Sequence, residues 1–574
     1  MRKPTRRLAG RAAVLAVVLA MVLLATAAVA SARAAQGKWL SGDIHTHSYL
    51  ADGSVQETEV VHQAFGLWNL DYFANAEPGG TSAKDPIGLS FVSPVWRWIT
   101  LSNYSFPIIE DLRDTYTDKT IIQGVDWNAP NHDRVNVGVV GTSNEPSAVS
   151  DFEYRFDAAD ADVSRAGEGT KEVSHNETDT VTGLPVKIID IPAAPFSKLN
   201  AAKATPSDAD NTVVGVDWLE QNYATQAYAI VSNPSRVNAW HVGDFRAMND
   251  AAPDVAFGME GLPGHQADFA RGGYNAYIKA DGTVGTAANA DSAMTAKART
   301  YGGADYMTSQ VGGLWDSLLG EGRHFWIFDN SDFRVYSKSY KDGNGITVGV
   351  QYYDFWPGQY KKTWTFANKN TPQAVVDGMR SGNVFVVNGD LIDGLKFTVG
   401  AGRKSSTMGQ TLTAGSGQTL TVTVAIHSPK ENNYGGKPVV NHVDLIGGNV
   451  TGLISPTSAD YTTKDTNSST HVIKSFNAAD WKSAAGGWKT ATFPVKVTGD
   501  MYFRLRGTNL APNTPNETDA SGDPLVDTLS YTPIPNPVDG GLTNTPPVNS
   551  PDLAFGDLWF YSNPIFVSTG SSGS

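Results

Sequence analysis

The sequence predicts an α/β domain followed by a second domain rich in β structure. The first observation behind this prediction is a repeated alternation of helical and strand patterns in the N-terminal part of the chain. Three times, apolar residues at helical spacing are followed by a short apolar run, at residues 57–67 and 70–74, 212–223 and 228–231, and 312–319 and 325–328. Such alternation is typical of an α/β barrel or a doubly wound sheet.

The second observation is a change of pattern near residue 371. A short helical segment, residues 372–380, is followed mostly by strand-like segments, and residues 419–425 alternate with the period of two expected of a half-buried strand. Further strands are predicted at residues 493–497, 501–506 and 559–567, the last as a closing strand. The sequence therefore predicts an α/β domain over residues 35–370 and a β-sandwich-like domain over residues 371–574.

Two other stretches interrupt this scheme. Residues 143–211 are polar and rich in Asp, Ala and Ser, and we interpret them as an insertion with little catalytic content. Residues 533–551 are dense in Pro, Asn and Gly, a composition that predicts a loop. The predicted chemistry therefore lies elsewhere in the first domain.

The N-terminus has the pattern of an export signal. Basic residues precede an uninterrupted run of apolar and small residues at 12–30, and small residues at cleavage-compatible spacing follow this run. The run is nearly long enough to be an uncleaved membrane anchor. Its richness in Ala favours cleavage, so we predict a signal peptide over residues 1–34 and a secreted, extracellular protein without membrane contact after cleavage.

Composition excludes several classes of function. The 574 residues are too many for a single core. Hydrophobic residues make up 41% and charged residues 18%, a balance typical of a globular protein. The formal net charge of −14 argues against nonspecific binding to nucleic acid or to an anionic membrane. The sequence contains no cysteine, so any bound metal must be held by His, Asp and Glu.

The strongest local pattern is GDIHTH at residues 42–47, followed by Asp52. On a strand, side chains two residues apart point to the same face, so His45 and His47 could bind one cation together. Imidazole and carboxylate are the groups that bind first-row divalent metals when thiolate is absent. The alternative interpretation is a pair of exposed histidines near a turn.

Six segments resemble, in the same order along the chain, motifs of the PHP (polymerase and histidinol phosphatase) family of metal-dependent phosphoesterases. They are residues 42–53, 70–80, 124–134, 232–236, 257–266 and 330–334. The segment FGMEGLPGHQ at 257–266 is typical of one secreted branch of that family, and residues 385–392 and 559–567 resemble the region after its barrel. The resemblance implies a distorted PHP-type (β/α) barrel, followed by the β-sandwich-like domain, with divalent ions bound at the ends of the barrel strands.

The resemblance also implies a set of metal ligands. They are His45, His47, Asp52, Asp126 and Asp332. Together they would hold one or more divalent ions, and sites of His and carboxylate accept Mn, Fe or Zn. Glu260, His241 and His265 are further candidates as outer or substitute ligands.

Four positions depart from the family's pattern, because other residues stand where the resemblance implies a histidine. They are Pro78, Arg134, Asn233 and Arg334. Proline and arginine cannot bind a metal, since the guanidinium stays protonated, and an asparagine oxygen is a weak ligand. The predicted metal site is therefore reduced.

Two hypotheses for function remain open. In the first, the protein is a metal-dependent hydrolase acting on a small phosphorylated or anionic substrate, with a divalent ion that activates water and polarises a phosphoryl oxygen. The residues predicted to act in catalysis are His132, Glu77, Arg134 and Arg334. The two arginines would bind phosphate oxygens, a role that suits guanidinium geometry.

In the second hypothesis catalysis is lost. The same arginines would bind an anionic ligand or pair with Glu77, Asp126 and Asp332, because buried carboxylates without partners are unstable. A protein that serves only as an extracellular interaction module belongs to this alternative.

Overall fold

The computed structural model describes residues 37–141, 145–162, 210–236, 240–267, 271–272, 276–278, 284–286, 299–341, 347–352, 354–402, 404–527, 534–535, 542–543 and 550–570. The predicted signal peptide lies outside the described residues, as does most of the predicted insertion. Where the structure describes the insertion, it begins with a helix, Glu145–Phe156.

The longer helices form where apolar residues recur at helical spacing. In chain order they are α1 Glu57–His62, α2 Arg97–Thr100, α3 Phe106–Thr115, α4 Glu145–Phe156, α5 Asp210–Tyr223, α6 Val242–Ala251, α7 Tyr306–Ser309, α8 Leu314–Gly320, α9 Pro372–Arg380, α10 Asp460–Thr463 and α11 Ser550–Gly556. The π-helical turns Gln63–Leu67 and Leu101–Ser105 follow α1 and α2, and a 3-10 turn covers Ala485–Gly487.

The strands are numbered along the described chain. They are β1 Lys38–Asp43, β2 Tyr72–Ala74, β3 Glu77–Pro78, β4 Thr81–Lys84, β5 Ser90–Trp96, β6 Thr120–Ile122, β7 Gly124–Asn128, β8 Arg134–Val139, β9 Ala227–Val231, β10 Gly258–Leu262, β11 Ala276–Ile278, β12 Val284–Thr286, β13 Trp326–Asp329, β14 Ser337–Lys341, β15 Thr347–Tyr352, β16 Lys361–Ala367, β17 Val384–Asn388, β18 Gly394–Ala401, β19 Lys404–Thr407, β20 Thr411–Thr413, β21 Thr419–His427, β22 His442–Asn449, β23 His471–Phe476, β24 Lys482–Ser483, β25 Lys489–Lys496, β26 Met501–Thr508, β27 Ile534–Pro535, β28 Leu542–Thr543, β29 Trp559–Ser562 and β30 Ile565–Ser568.

Most of the predicted helices and strands are confirmed within a few residues, but the segment predicted as a loop, residues 533–551, contains the short antiparallel strands β27 and β28. The pattern at residues 57–67 forms α1 and the π-helical turn after it, and residues 372–380 form α9. The closing strand predicted at residues 559–567 is two strands, β29 and β30, because Asn563 and Pro564 interrupt it. Proline has no N–H to donate to a sheet, so a break at this point is expected.

The described strands give a mixed α/β fold with several sheets. The largest sheet has eleven strands, in the order β20-β30-β26-β29-β17-β16-β1-β2-β6, with β22 joined to β26 and β23 joined to β22. A six-stranded sheet has the order β13-β10-β9-β8-β7-β3, and a five-stranded sheet has the order β19-β18-β21-β25-β24. In the described part of the chain, no helix is both long and apolar enough to cross a membrane.

The six-stranded sheet positions the candidate site. Its strands β9, β10 and β13 are parallel, and every residue of the three strands is buried. Continuous apolar runs such as AYAIV in β9 are typical of parallel strands covered on both faces. The carboxyl ends of the three strands meet at one edge, and the segment after β1 joins them there through a parallel bridge between Thr46 and Phe333. Loops that leave this edge carry most of the residues described next.

Candidate metal centre

His45 and His47 lie in the segment that follows β1. The carboxylate of Asp43 fixes the start of this segment, because it accepts hydrogen bonds from the N–H groups of His45 (3.0 Å) and Ser331 (2.9 Å). Further along, the N–H of His47 donates to the carbonyl of Phe333 at 2.8 Å. These bonds tie the segment after β1 to the loop after β13 and bring both histidine rings to that loop.

Three buried donor atoms form the centre of the site. They are Nε2 of His45, Nε2 of His47 and Oδ1 of Asp332. The two nitrogens are 3.1 Å apart, and the oxygen lies 3.3 Å from the first and 3.1 Å from the second. Ligands about 2.1 Å from one ion are about 3.4 Å apart at the tetrahedral angle and about 3.0 Å apart at a right angle. The three atoms therefore have the spacing of ligands around one metal ion.

Each histidine has a carboxylate at its other ring nitrogen. Oε1 of Glu260 is 2.7 Å from Nδ1 of His45, and Oδ1 of Asp52 is 3.0 Å from Nδ1 of His47. A proton held at Nδ1 by a carboxylate leaves Nε2 with its lone pair, the form in which histidine binds a metal. Two such lone pairs 3.1 Å apart repel each other unless a proton or a metal ion lies between them, so these residues fit a divalent ion in their neutral form.

Glu260 is itself held firmly. Its Oε1 accepts hydrogen bonds from the side-chain amides of Asn136 (2.8 Å) and Asn330 (3.0 Å), and its side chain is fully buried in β10. The side-chain oxygen of the same Asn330 accepts the N–H of Ile44 at 2.9 Å. The ring of His45 is therefore oriented by a network that reaches back to the segment after β1.

The charges of the site are strongly coupled. Burial by itself would lower the pKa of His45, but the carboxylates of Asp332 and Glu260 raise it well above its usual value. Burial would raise the pKa of Asp332, but the charges of His265, His45 and Arg334 lower it well below its usual range. The carboxylates and the basic side chains of the site thus stabilise each other's charged forms.

Asp126, a predicted ligand, borders the three donors from β7. Its Oδ2 is 3.7 Å from Nε2 of His45 and 2.7 Å from Nη1 of Arg134, and its Oδ1 accepts the hydroxyl of Ser232 at 3.3 Å. Burial would raise the pKa of Asp126, but Arg134 and His45 lower it to about 2. The structure brings Asp126 to the site, with Arg134 as its ion-pair partner.

Asp52, also a predicted ligand, lies behind His47 and not among the three donors. Its Oδ2 is 3.2 Å from Nη1 of Arg334. Burial would raise the pKa of Asp52, but His47 and Arg334 lower it below its usual range. The structure therefore places Asp52 where it can orient the ring of His47 and hold Arg334.

Glu77, predicted to act in catalysis, is fully buried in β3. Its Oε1 accepts hydrogen bonds from the N–H of Ser48, at 3.0 Å, and from the Ser48 hydroxyl. Burial raises the pKa of Glu77, and the charges of Arg97 and His47 oppose that rise. Arg97 is a buried arginine that no sequence motif indicated, and its Nε donates to the carbonyl of Pro78 at 2.6 Å.

His132, predicted to act in catalysis, is placed beside α6. Its ring stacks on Trp240 with centroids 4.2 Å apart, and its Nε2 lies 3.6 Å from Asp244. Burial lowers the pKa of His132. His241, one of the further candidate ligands, is the exposed N-cap residue of α6 and also faces Asp244, at 3.4 Å. Both histidines contact α6 and not the group of three donors.

Two charged residues at the site received no role from the sequence. Arg236 forms a double ion pair with Asp133, at 2.6 and 2.8 Å, and its Nη1 lies 4.0 Å from Oδ2 of Asp332. Asp354 lies 2.5 Å from Nδ1 of His265. Arg236 belongs to one of the segments that resemble the PHP family, so that motif could have indicated it as a site residue. No motif near Asp354 indicated a site.

Comparison with known proteins gives little further guidance. No family model matches the chain, and no curated protein matches it. Among solved structures, a two-domain protein from Bacteroides vulgatus containing a predicted PHP-like metal-dependent phosphoesterase is similar over 86% of this chain and 94% of that chain. The sequence identity is 10% and the TM-score is 0.30. A likeness at this level identifies neither the family nor the function.

Proposed function

We propose that this protein is a secreted metal-dependent hydrolase, a phosphoesterase of PHP type with a reduced metal site. The observation that carries the proposal is the triangle of donor atoms from His45, His47 and Asp332, with side lengths of 3.1 to 3.3 Å. The proposal includes a PHP-type barrel over residues 35–370, a β-sandwich-like domain over residues 371–574 and a signal peptide over residues 1–34.

The chain's own residues have distinct parts in this chemistry. A divalent ion such as Mn, Fe or Zn, when bound, supplies Lewis acidity toward a phosphoryl oxygen and makes water more acidic. Glu260 is hydrogen-bonded to Nδ1 of His45 and would keep its proton there, and Asp52, 3.0 Å from Nδ1 of His47, is the ion-pair partner that would do the same when the ion is bound. Glu77 and His132 are the candidates for proton transfer in this chemistry.

The arginines at the site favour an anionic substrate. The side chains of Arg134 and Arg334 are 25% and 31% exposed, whereas the three donor atoms belong to side chains that are at most 3% exposed. A small phosphorylated molecule could therefore contact guanidinium groups at the mouth of the site and an ion at its floor. The net charge gives no reason to expect nucleic acid or a membrane as partner.

Metal content tests the proposal directly. The mature protein, dialysed without chelator, should carry Mn, Fe or Zn by mass spectrometry and should hydrolyse a generic phosphoester such as p-nitrophenyl phosphate. His45→Ala should lose the metal and more than about 100-fold in rate, since it removes a ligand. The matched control is His62→Ala, which removes an exposed histidine that hydrogen-bonds Tyr116 and should change neither quantity. An unchanged metal content in His45→Ala would remove the basis of the proposal.

A second candidate function is binding of an anionic ligand without catalysis. It is favoured by the ion pairs of Arg134 with Asp126 (2.7 Å) and of Arg334 with Asp52 (3.2 Å), which give two carboxylates a cation from the chain itself. In this case the protein takes up no metal after incubation with each ion, binds inorganic phosphate in calorimetry, and loses that binding in Arg134→Gln.

A further inference from the structure

The two oxygens of the Asp332 carboxylate contact two different groups of side chains. Its Oδ1 is turned to the Nε2 atoms of His45 and His47. Its Oδ2 is 2.8 Å from Nε2 of His265 and accepts the side-chain amide of Asn233 at 3.1 Å. One carboxylate thus borders the proposed metal centre on one side and a second group of polar atoms on the other.

The second group also has the features of ligands. Nδ1 of His265 is held by Asp354, as the outer nitrogen of a metal-binding histidine commonly is held by a carboxylate. Oδ1 of Asn233 is fully buried and has no hydrogen-bond partner among the residues that the structure describes. Nε2 of His265, Oδ2 of Asp332 and the Asn233 amide therefore converge on one place.

The backbone at this place is unusual. Asn233, His265 and Asp332 all have positive φ, at 48°, 61° and 46°. Among residues with a side chain, Asn, Asp and His adopt this left-handed conformation most readily. Here Asn233 and His265 both contact the same oxygen, Oδ2 of Asp332.

The guanidinium of Arg334 already lies beside this second group of polar atoms. Nη2 of Arg334 is 2.7 Å from Nε2 of His265, Nη1 is 3.2 Å from Asp52, and Nε is 3.8 Å from Oδ1 of Asp332. The same Nε2 lies 2.8 Å from Oδ2 of Asp332, so this ring atom contacts both the carboxylate and the guanidinium. The backbone N–H of Arg334 donates to Asp354 at 2.9 Å, so the same carboxylate positions the arginine and the histidine.

We infer that the guanidinium of Arg334 takes the place of a second divalent ion, so that the protein binds one equivalent of metal. This inference rests on the proposed function, since it takes the centre at His45, His47 and Asp332 as the first site. Arg334 occupies the place beside Nε2 of His265 that a second ion would need, and its positive charge repels such an ion. An anionic substrate would then lie between one metal ion and one fixed guanidinium.

Metal stoichiometry tests this inference without any measurement of activity. Each protein is saturated with Mn²⁺ or Zn²⁺, freed of excess metal by gel filtration, and analysed by mass spectrometry. We expect one equivalent in the wild type, two in Arg334→His, and one again in Arg334→His combined with His265→Ala. Arg334→Lys keeps a positive charge and should remain at one. The control Arg113→His changes an arginine paired with Glu145 outside this site and should also remain at one.

The outcomes separate the inference from the proposed function. Two equivalents in the wild type, or one equivalent in a folded Arg334→His protein, overturns the inference and leaves the hydrolase proposal standing. No metal in the wild type and in Arg334→His overturns both. Should Arg334→His fail to fold by circular dichroism, Arg334→Ala removes the guanidinium instead, and a second, weaker equivalent is the expected result, whereas a single equivalent overturns the inference.

Discussion

At the scale of single residues, the orientation of each histidine depends on a carboxylate behind it. Glu260 is the clearest case, because its Oε1 contacts His45 at 2.7 Å and is itself fixed by Asn136 and Asn330. A ring held in this way keeps its Nε2 directed at the donors opposite without loss of side-chain entropy on metal binding.

The first prediction concerns this carboxylate. Glu260→Gln keeps the shape of the side chain and removes its charge, so the proton on Nδ1 of His45 is held less firmly and the ring becomes a weaker ligand. We expect metal affinity to fall by about 10- to 100-fold, the usual effect of changing such a partner. Titration calorimetry with Mn²⁺ or Zn²⁺ measures the change.

Glu153→Gln is the matched control for this change. Glu153 is also fully buried, and its Oε1 accepts the N–H of Gly80 at 2.8 Å, apart from the three donors. Its substitution should leave the metal affinity unchanged. Equal losses in both variants would mean that general destabilisation, and not the orientation of His45, explains the effect.

At the scale of elements, the site depends on close approach of the loops after β10 and β13. A Cβ at Gly264 would lie 2.1 Å from the carbonyl oxygen of Ser331 and 2.6 Å from Cβ of Asp332. Gly264→Ala should therefore separate His265 from Asp332, lower stability by about 1–3 kcal/mol and weaken metal binding. Urea unfolding and calorimetry measure the two effects.

Gly66→Ala provides the comparison for Gly264→Ala. Gly66 lies in the π-helical turn after α1, and a Cβ there would meet no atom within 4 Å among the described residues. Metal affinity should stay at the wild-type value, and stability should not fall, because alanine is favoured over glycine in a helical turn. A Gly264→Ala protein that behaves in the same way would show that the two loops can move apart at no cost.

The strand β22 provides a prediction of pH dependence. Burial lowers the pKa of His442 below its usual value of 6.5, nearby Arg506 acts in the same direction, and Asp444 and Asp523 oppose it. The unfolded chain therefore binds the proton more strongly than the native chain. The stability due to the neutral ring is present above pH 6.5 and is lost as the pH falls below that value through the lower native pKa.

His442→Gln should remove this part of the pH dependence. The free energy of unfolding, measured from pH 4.5 to pH 8, should fall less steeply toward acid in the variant than in the wild type, and one unit of pKa difference corresponds to about 1.4 kcal/mol. The exposed His471 in β23 is the control, and its replacement by Gln should leave the slope unchanged. Identical slopes for wild type and His442→Gln would contradict the prediction.

Only part of the candidate site could be predicted from the sequence. The spacing of His45 and His47 is local, so the pair could be predicted as candidate ligands, although both residues lie after β1 and not on a strand as alternation had suggested. Glu260 lies 215 residues from His45 in the chain, and only the meeting of β10 with the segment after β1 makes it a partner. Asp354 could not be predicted, because no local pattern marks a carboxylate that contacts a distant histidine.

At the scale of the whole molecule, the largest sheet joins strands from both predicted domains. β16 lies between β1 and β17, and β17 pairs with β29 near the C-terminus. Across the same boundary, Arg504 in β26 forms two bonds with Asp316 in α8, at 2.8 and 2.7 Å, and both side chains are buried. The described residues from Trp39 onward accordingly form one compact unit.

The last prediction follows from this buried pair. Arg504→Met leaves the carboxylate of Asp316 buried without its cation, and we expect a loss of about 3–5 kcal/mol in the free energy of unfolding. Because the pair links elements on both sides of residue 371, scanning calorimetry should show a single transition at lower temperature. Lys474→Met breaks a half-exposed pair with Asp480 and should cost less than about 1 kcal/mol. Two separated transitions in Arg504→Met, with only one of them shifted, would mean that the predicted domains unfold independently in spite of the shared sheet.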